Sequence, residues 1–390
     1  MAILSRSDDG VREGSGKSIQ AQKVREGAFA TSRTARRTRQ PRELEAKARS
    51  HPRLFHRACV RLGRQNLAKI IGVGRRPWGC YRCRRTCVSK KGKFDQRGQV
   101  FSAAQKLREV LAGGDIAVMP GCFDALSAKL VADAGFKVTF MSGFAVSAAQ
   151  LGLPDTGLIS FSEMLDSVRN CCAAASKTPL IADGDTGYGN ALNVQRTVIE
   201  YARAGAAAVM IEDQVSPKKC GHTRGKQVIS REEARMKIRA AADAKADADI
   251  LIMARTDARA VHGFDAALDR CRDFEDAGAD IIFLEAPETT DEMRRFCRAM
   301  SKPCVVNTVP GGKTPVLPLS ELQDIGYKLA LYPVMLLSVS IAAMQAALVS
   351  LRPGSTAQLP PSVSFSELQS VVGFPSYWKL EERYKADVES

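Results

Sequence analysis

Residues 179–213 read PLIADGDTGYGNALNVQRTVIEYARAGAAAVMIED. A short apolar run at 179–182 ends in an acidic, glycine-rich turn from Asp183 to Gly189, a helical stretch follows over 192–204, and a second apolar run at 208–211 ends in Glu212 and Asp213. Apolar runs that do not alternate with polar residues belong to strands buried on both faces, and such strands lie in parallel sheets crossed over by helices. The same unit recurs. Further runs stand at 116–119, 138–141, 250–254, 281–284, 304–306 and 329–332, with helical patterns at 125–134, 163–175, 231–242, 264–277 and 291–300. Ser230 and Glu233 have the spacing of a capping box, and 102–112 precede the first run as an extra helix. Eight strand-then-helix units predict an α/β fold, a (β/α)8 TIM barrel.

The barrel is expected over 99–354, between a basic, disordered extension at 1–98 and a C-terminal helical tail at 355–390. The chain of 390 residues carries a formal charge of +15, but unevenly. Residues 1–97 hold 26 Lys and Arg against 7 Asp and Glu, which leaves 31 against 35 for the rest. An Arg- and Ser-rich extension fits an address to a plastid or mitochondrion, although Asp8, Asp9, Glu13, Glu26, Glu43 and Glu45 are more acids than transit peptides usually carry. A solvated tail is the simplest use for it. Phe55, Trp78 and Tyr81 are too scattered for a stacking platform, so no nucleic-acid partner is expected. Eleven irregularly spaced cysteines and no secretory leader point to an intracellular protein without a disulfide framework, cytoplasmic if the extension carries no address. Cys80, Cys83 and Cys87, with Cys59 and His56, lack the second paired half of a zinc site. The uncharged stretch 329–351 could span a bilayer by length, but Pro333, Ser338, Ser340 and Gln345 interrupt it; a buried strand followed by a buried helix is expected instead.

Polar residues follow the apolar runs where a barrel keeps its active site: Ser142 and Gly143, Asp183 and Asp185, Glu212, Arg255 and Asp257, Glu285, and Asn307. A single acid in such a place is usually a capping side chain. The set is not so explained. Carboxylates so spaced suit one hard divalent cation, Mg²⁺ or Mn²⁺, and Lys218, Cys220 and His222 share one glycine-containing loop able to close over a ligand. Gly311-Gly312-Lys313-Thr314 imitates the end of a P-loop, but the first glycine that motif needs is Asn307, so nucleotide binding is not expected there.

From about 103 to 354 the chain resembles the isocitrate lyase/phosphoenolpyruvate mutase superfamily. Ser142-Gly143 with Leu153-Pro154-Asp155, the run Asp183 to Gly189, Ile211 to Gln214, Lys218 to His222, Ala254 to Asp257, and Asn307 with Gly311 to Pro315 carry the resemblance. It implies that Asp183 contacts Mg²⁺ most directly, that Asp155, Asp185 and Glu212 support the ion through water, and that Arg255 clamps a substrate carboxylate. It also implies a homodimer or homotetramer in which the last barrel helix is exchanged. Members that cleave carbon–carbon bonds carry the Lys-x-Cys-Gly-His pattern that Lys218, Cys220, Gly221 and His222 form, whereas phosphonate mutases place Asn at the cysteine position. Many lyases of the superfamily have Tyr where this chain has Phe140, and many relatives have Glu where it has Pro310.

The expected activity is a Mg²⁺-dependent carbon–carbon lyase that cleaves a small 2-hydroxy di- or tricarboxylate, of the 2-methylisocitrate, isocitrate or 2-alkylmalate type, to a 2-oxo acid and a second acid. Cys220, Lys218, His222, Arg255 and Glu285 are the expected catalytic residues, and Ser142, Gly143, Gly221 and Asn307 the expected substrate contacts. A phosphonate enzyme or an oxaloacetate hydrolase on the same fold is the alternative, and a basic nucleic-acid binder using the barrel as scaffold is the rival of another class.

Overall fold

The structure, a computed structural model, describes residues 101–219 and 225–385. The extension at 1–98, with Cys59, Cys80, Cys83, Cys87 and His56, lies outside the described residues. Eight parallel strands close into a barrel in sequence order: β1 (Ala117–Cys122), β2 (Thr139–Met141), β3 (Leu180–Asp183), β4 (Ala208–Glu212), β5 (Leu251–Thr256), β6 (Ile281–Leu284), β7 (Cys304–Asn307) and β8 (Leu329–Tyr332), which pairs back onto β1. The (β/α)8 barrel is thus the fold. Around it run α1 (Ala103–Ala112), α2 (Ala125–Asp133), α3 (Gly143–Leu151), α4 (Phe161–Ala174), α5 (Ala191–Ala204), α6 (Arg231–Ala244), α7 (Arg259–His262), α8 (Phe264–Asp276), α9 (Thr290–Ala299), α10 (Leu319–Ile325) and α11 (Met335–Ser350). The tail adds α12 (Phe365–Val372) and α13 (Phe374–Arg383).

The apolar strands serve two cores at once. Met119, Phe140, Ile181, Met210, Met253, Phe283 and Leu331 fill the barrel, while their neighbours Met141, Ala182, Val209, Ile252, Ile282 and Val306 pack outward under the helices. Helix α1 joins the inner core through Ala104 and Leu107, and a capping box between Ser102 and Gln105 starts it. The N-terminal mouth is therefore plugged by apolar side chains, and the polar rim lies at the other end. Register sets that rim: Glu212 stands level with Arg255, Asp183 with Met210, and Asn307 with Leu331.

The structure corrects several local expectations. Only half of the capping box at Ser230 forms, its hydroxyl accepting from Glu233 N at 3.1 Å. Strand β1 runs past Met119 through Pro120; the Thr139 hydroxyl donates to the Pro120 carbonyl at 3.0 Å, tying β2 to β1 beside a residue that has no N–H. The largest difference concerns α11. Sequence predicted a buried helix, but among its residues only Leu337 is buried in this chain. An uncharged sequence specifies that a helix must be covered, not by which chain. Among the described residues no helix is long and apolar enough to cross a membrane.

Closure of β8 against β1 leaves no room for a side chain at Gly121, where an added Cβ would stand 2.2 Å from the Pro333 carbonyl oxygen. Overpacking of this kind costs ~1–3 kcal/mol. In urea unfolding, Gly121→Ala is expected to lose that amount, whereas Gly114→Ala, whose Cβ meets nothing within 4 Å, should lose none.

Candidate active site

The rim is built from strand ends outward. Asp183 closes β3, and both its oxygens accept backbone bonds, Oδ2 from Gly143 N and Oδ1 from Asp185 N, each at 3.0 Å. Gly143 opens α3 directly after β2, and a Cβ there would lie 2.7 Å from Asp183 Oδ2, so the contact requires glycine. Ser142 caps that helix, its hydroxyl accepting from Ala145 N at 3.4 Å. Beyond Asp183 the chain turns sharply, with Asp185 at φ 48° and Tyr188 at φ 58°, in the left-handed region that costs most residues energy. Tyr201 steadies the turn, donating to the Asp183 carbonyl at 3.3 Å and meeting the Tyr188 hydroxyl at 3.2 Å. Glu212 ends β4 and its N–H donates to the Asp185 carbonyl at 2.9 Å.

Carboxylates outnumber cations here. Lys218 Nζ lies 2.8 Å from Asp155 Oδ1 and 2.5 Å from Asp185 Oδ1, all three side chains being buried. Although burial pulls the ammonium down, Asp185, Asp183, Glu212 and Asp155 hold it well above the usual lysine range. Burial, opposed by Lys218 and reinforced by Asp183 and Asp155, pushes the Asp185 carboxyl up to about 7. Glu212 is likewise raised, chiefly by burial, against the pull of Arg255 and Lys218. Four buried carboxylates share one lysine, a charge excess that a divalent cation would balance. Their hard oxygen donors fit Mg²⁺. Among the described residues no three His, Cys, Asp or Glu side chains are grouped closely enough to enclose a metal ion by themselves.

The other half of the rim centres on Arg255, the next-to-last residue of β5. Its Nε and Nη2 reach the two oxygens of Asp257 at 2.9 and 3.0 Å, its Nη1 lies 3.4 Å from Glu212, and Glu285 is 3.8 Å from Nε. Despite burial, Asp257, Glu285 and Glu212 hold the guanidinium charged. Asn307 Nδ2 faces both Glu285 oxygens at 3.3 Å. Behind them Asp213 accepts from the Thr256 hydroxyl at 2.7 Å, from Asp257 N at 2.8 Å and from Arg270 at 3.0 Å, tying the end of β5 to α8.

Both halves line one cavity of about 200 Å³, to which Ser142, Asp155, Asp183, Glu212, Lys218, Arg255, Glu285 and Asn307 contribute polar groups. Phe140, Phe144, Met210, Phe283, Val309, Leu331, Pro333 and Val334 supply its apolar lining. Sequence reading brought together the polar set but missed the apolar lining, which comes from several strands, from α3 and from the loops after β7 and β8. It marked Asp213 beside Glu212 without giving it a part, and it passed over Lys226 and Arg270, whose partners are distant in sequence. Cys220, Gly221 and His222 lie outside the described residues. The loop that carries them rises from a defined base: Gln214 bridges Val228, Val215 N donates to the Gln227 carbonyl at 2.9 Å, and the Gln214 side chain bonds both N and O of Lys219.

Residues 107–352 match the family described as phosphoenolpyruvate phosphomutase. The chain is 42% identical to 2,3-dimethylmalate lyase of Eubacterium barkeri over 73% of its own length and 99% of the relative's. It is 45% identical to a chloroplastic carboxyvinyl-carboxyphosphonate phosphorylmutase of Arabidopsis thaliana, over 69% of this chain and 81% of that one. Among solved structures, a phosphonopyruvate hydrolase in complex with oxalate and Mg²⁺ superposes with a TM-score of 0.64 at 31% identity, covering 73% of this chain and 99% of the other.

Proposed function

The chain belongs to the phosphoenolpyruvate phosphomutase family, within the isocitrate lyase/phosphoenolpyruvate mutase superfamily, and from that premise we propose that it is a Mg²⁺-dependent carbon–carbon lyase. Its substrate is a small 2-hydroxy acid of the 2-alkylmalate, 2-methylisocitrate or isocitrate type. One observation carries this reading: a single cavity is lined both by a buried carboxylate cluster with a guanidinium and by the apolar side chains of Phe140, Phe144, Val309, Leu331, Pro333 and Val334. Such a mixed lining suits a small acid that carries both carboxylates and alkyl branches. Similarity to both a lyase and a phosphorylmutase keeps a phosphonate enzyme or an oxaloacetate hydrolase as the alternative. The Lys-x-Cys-Gly-His pattern favours cleavage.

In this reading Asp183 would hold the cation most directly, with Asp155, Asp185 and Glu212 in support. When bound, Mg²⁺ stabilises negative charge on the substrate oxygens. Arg255 grips a carboxylate through its planar fork, Ser142, Gly143, Gly221 and Asn307 position the substrate, and Glu285 orients Asn307 and Arg255. The reaction begins when a base takes the 2-hydroxyl proton. The bond between C2 and C3 then breaks, C2 becomes the carbonyl of a 2-oxo acid, and the bonding electrons pass to the departing acid as a carbanion. Cys220 Sγ–H gives that carbon a proton, with Lys218 and His222 close to it in sequence; the base then releases its proton to solvent and the thiolate takes one up from solvent, which closes the cycle. Phe140 has no hydroxyl, so position 140 cannot supply the base.

The exposed face of α11 supports an exchanged-helix dimer that pairs into a tetramer. Val339, Met344, Leu348 and Leu351 stand uncovered on it. An entirely apolar groove lies between α2 and the start of α11, lined by Leu130, Val131, Phe136, Tyr332, Met335 and Leu336.

Three outcomes follow. Excess chelator should abolish turnover and Mg²⁺ or Mn²⁺ restore it, while Asp183→Ala stays inactive at ordinary metal levels; full activity in chelator would sink the metal reading. Cys220→Ser should lower kcat by ~10²–10⁴-fold with little change in KM, since a hydroxyl keeps the size but is a far weaker acid. Near-normal turnover would return the phosphonate reading to first place. Light scattering at micromolar concentration should give a dimer or tetramer, and a monomer would contradict the exchanged helix.

A further inference from the structure

Lys226 lies where the loop after β4 re-enters the rim, one residue beyond Gly225, whose φ is 73°. Its side chain is 2% exposed and that of Asp257 is fully buried, with Nζ 2.7 Å from Asp257 Oδ1. That oxygen is shared, since Arg255 Nη2 reaches it at 3.0 Å, while Arg255 Nε takes Oδ2 at 2.9 Å. Asp257 thus grips one edge of the guanidinium and leaves Nη1 facing Glu212 and the cavity. Three carboxylates, those of Asp257, Glu212 and Glu285, surround this one arginine. Held by them alone, its charge would be more than cancelled, and an anionic substrate would meet a negative wall. A second cation on Asp257 changes that balance.

We propose that Lys226 is a positioning residue for substrate binding: by pairing with Asp257 it orients Arg255 and offsets part of the negative charge around that arginine, so that a carboxylate is repelled less. The inference rests on the reading of Arg255 as the carboxylate clamp, and it assigns a part to a lysine that never touches the ligand. Lys226 lies on the Arg255 side of the rim, whereas Lys218 is the cation bonded to Asp155 and Asp185. Loss of Lys226 should therefore weaken a bound dicarboxylate and spare the metal.

The test uses the full chain, with oxalate as a small planar dicarboxylate and calorimetry as the readout, so that it needs no knowledge of the natural substrate. Oxalate is titrated in saturating Mg²⁺, and Mg²⁺ is titrated alone. Lys226→Gln, which retains a donor toward Asp257 without the charge, should bind oxalate at least ~10-fold more weakly with unchanged Mg²⁺ affinity. Lys226→Arg, which restores the charge, should come back to within ~3-fold of the natural protein. Should Lys226→Gln fail to fold by circular dichroism, Lys226→Met takes its place and Lys226→Arg still reports on the charge. Natural oxalate affinity in Lys226→Gln, equal loss in Lys226→Arg, or parallel loss of Mg²⁺ binding would each overturn the inference. Arg255→Lys separates it from the reading beneath it. If Arg255→Lys binds oxalate normally, the clamp itself is wrong; if Arg255→Lys binds weakly and Lys226→Gln normally, only the part given to Lys226 falls.

Discussion

Buried charge at the C-terminal rim is the constraint to which the rest of the molecule answers. Asp155, Asp183, Asp185, Glu212, Asp213, Asp257 and Glu285 are all less than a tenth exposed, and the cations paired with them are Lys218, Lys226, Arg255 and Arg270. Carboxylates are costly to bury, and an unpaired one costs several kcal/mol or gives up its charge. The fold keeps them by fixing every neighbour. Backbone N–H groups hold Asp183, the β4–β5 register sets Glu212 against Arg255, and Asp213 binds the end of β5 to α8. The excess of negative charge that remains is one that a divalent cation would balance.

The two halves of the rim divide the labour physically. On the β3 side, oxygen donors surround Lys218 in a region where low dielectric strengthens every interaction. On the β5 side, Arg255 is held among carboxylates with one end turned to the cavity. Apolar side chains of β2, α3, β8 and the loops after β7 and β8 line the same cavity. The plug formed by α1 leaves the polar end as the route of entry.

How much of this could be read from the chain depended on how local each signal was. The barrel was legible because strands such as β4 and β6 are buried on both faces and appear as unbroken apolar runs. The polar set was legible because Asp183, Glu212 and Asn307 each end such a run. Lys226 and Arg270 were not, since their value comes from Asp257 and Asp213, which lie 31 and 57 residues away and are brought near by the pairing of β4 with β5 and the packing of α8. The exposed α11 shows a different limit. Its composition demanded cover, and in the described structure only Leu337 of its residues is buried.

The account stands or falls on which bond the site breaks. The decisive measurement incubates the Mg²⁺-loaded protein with 2,3-dimethylmalate, 2-methylisocitrate, isocitrate, oxaloacetate and phosphonopyruvate, and follows products by nuclear magnetic resonance. Equimolar release of a 2-oxo acid and a second carboxylic acid from at least one of the hydroxy acids, with no phosphorus-containing product, is the result the account predicts. Phosphoryl transfer or carbon–phosphorus cleavage on phosphonopyruvate, with every hydroxy acid left intact, would contradict it.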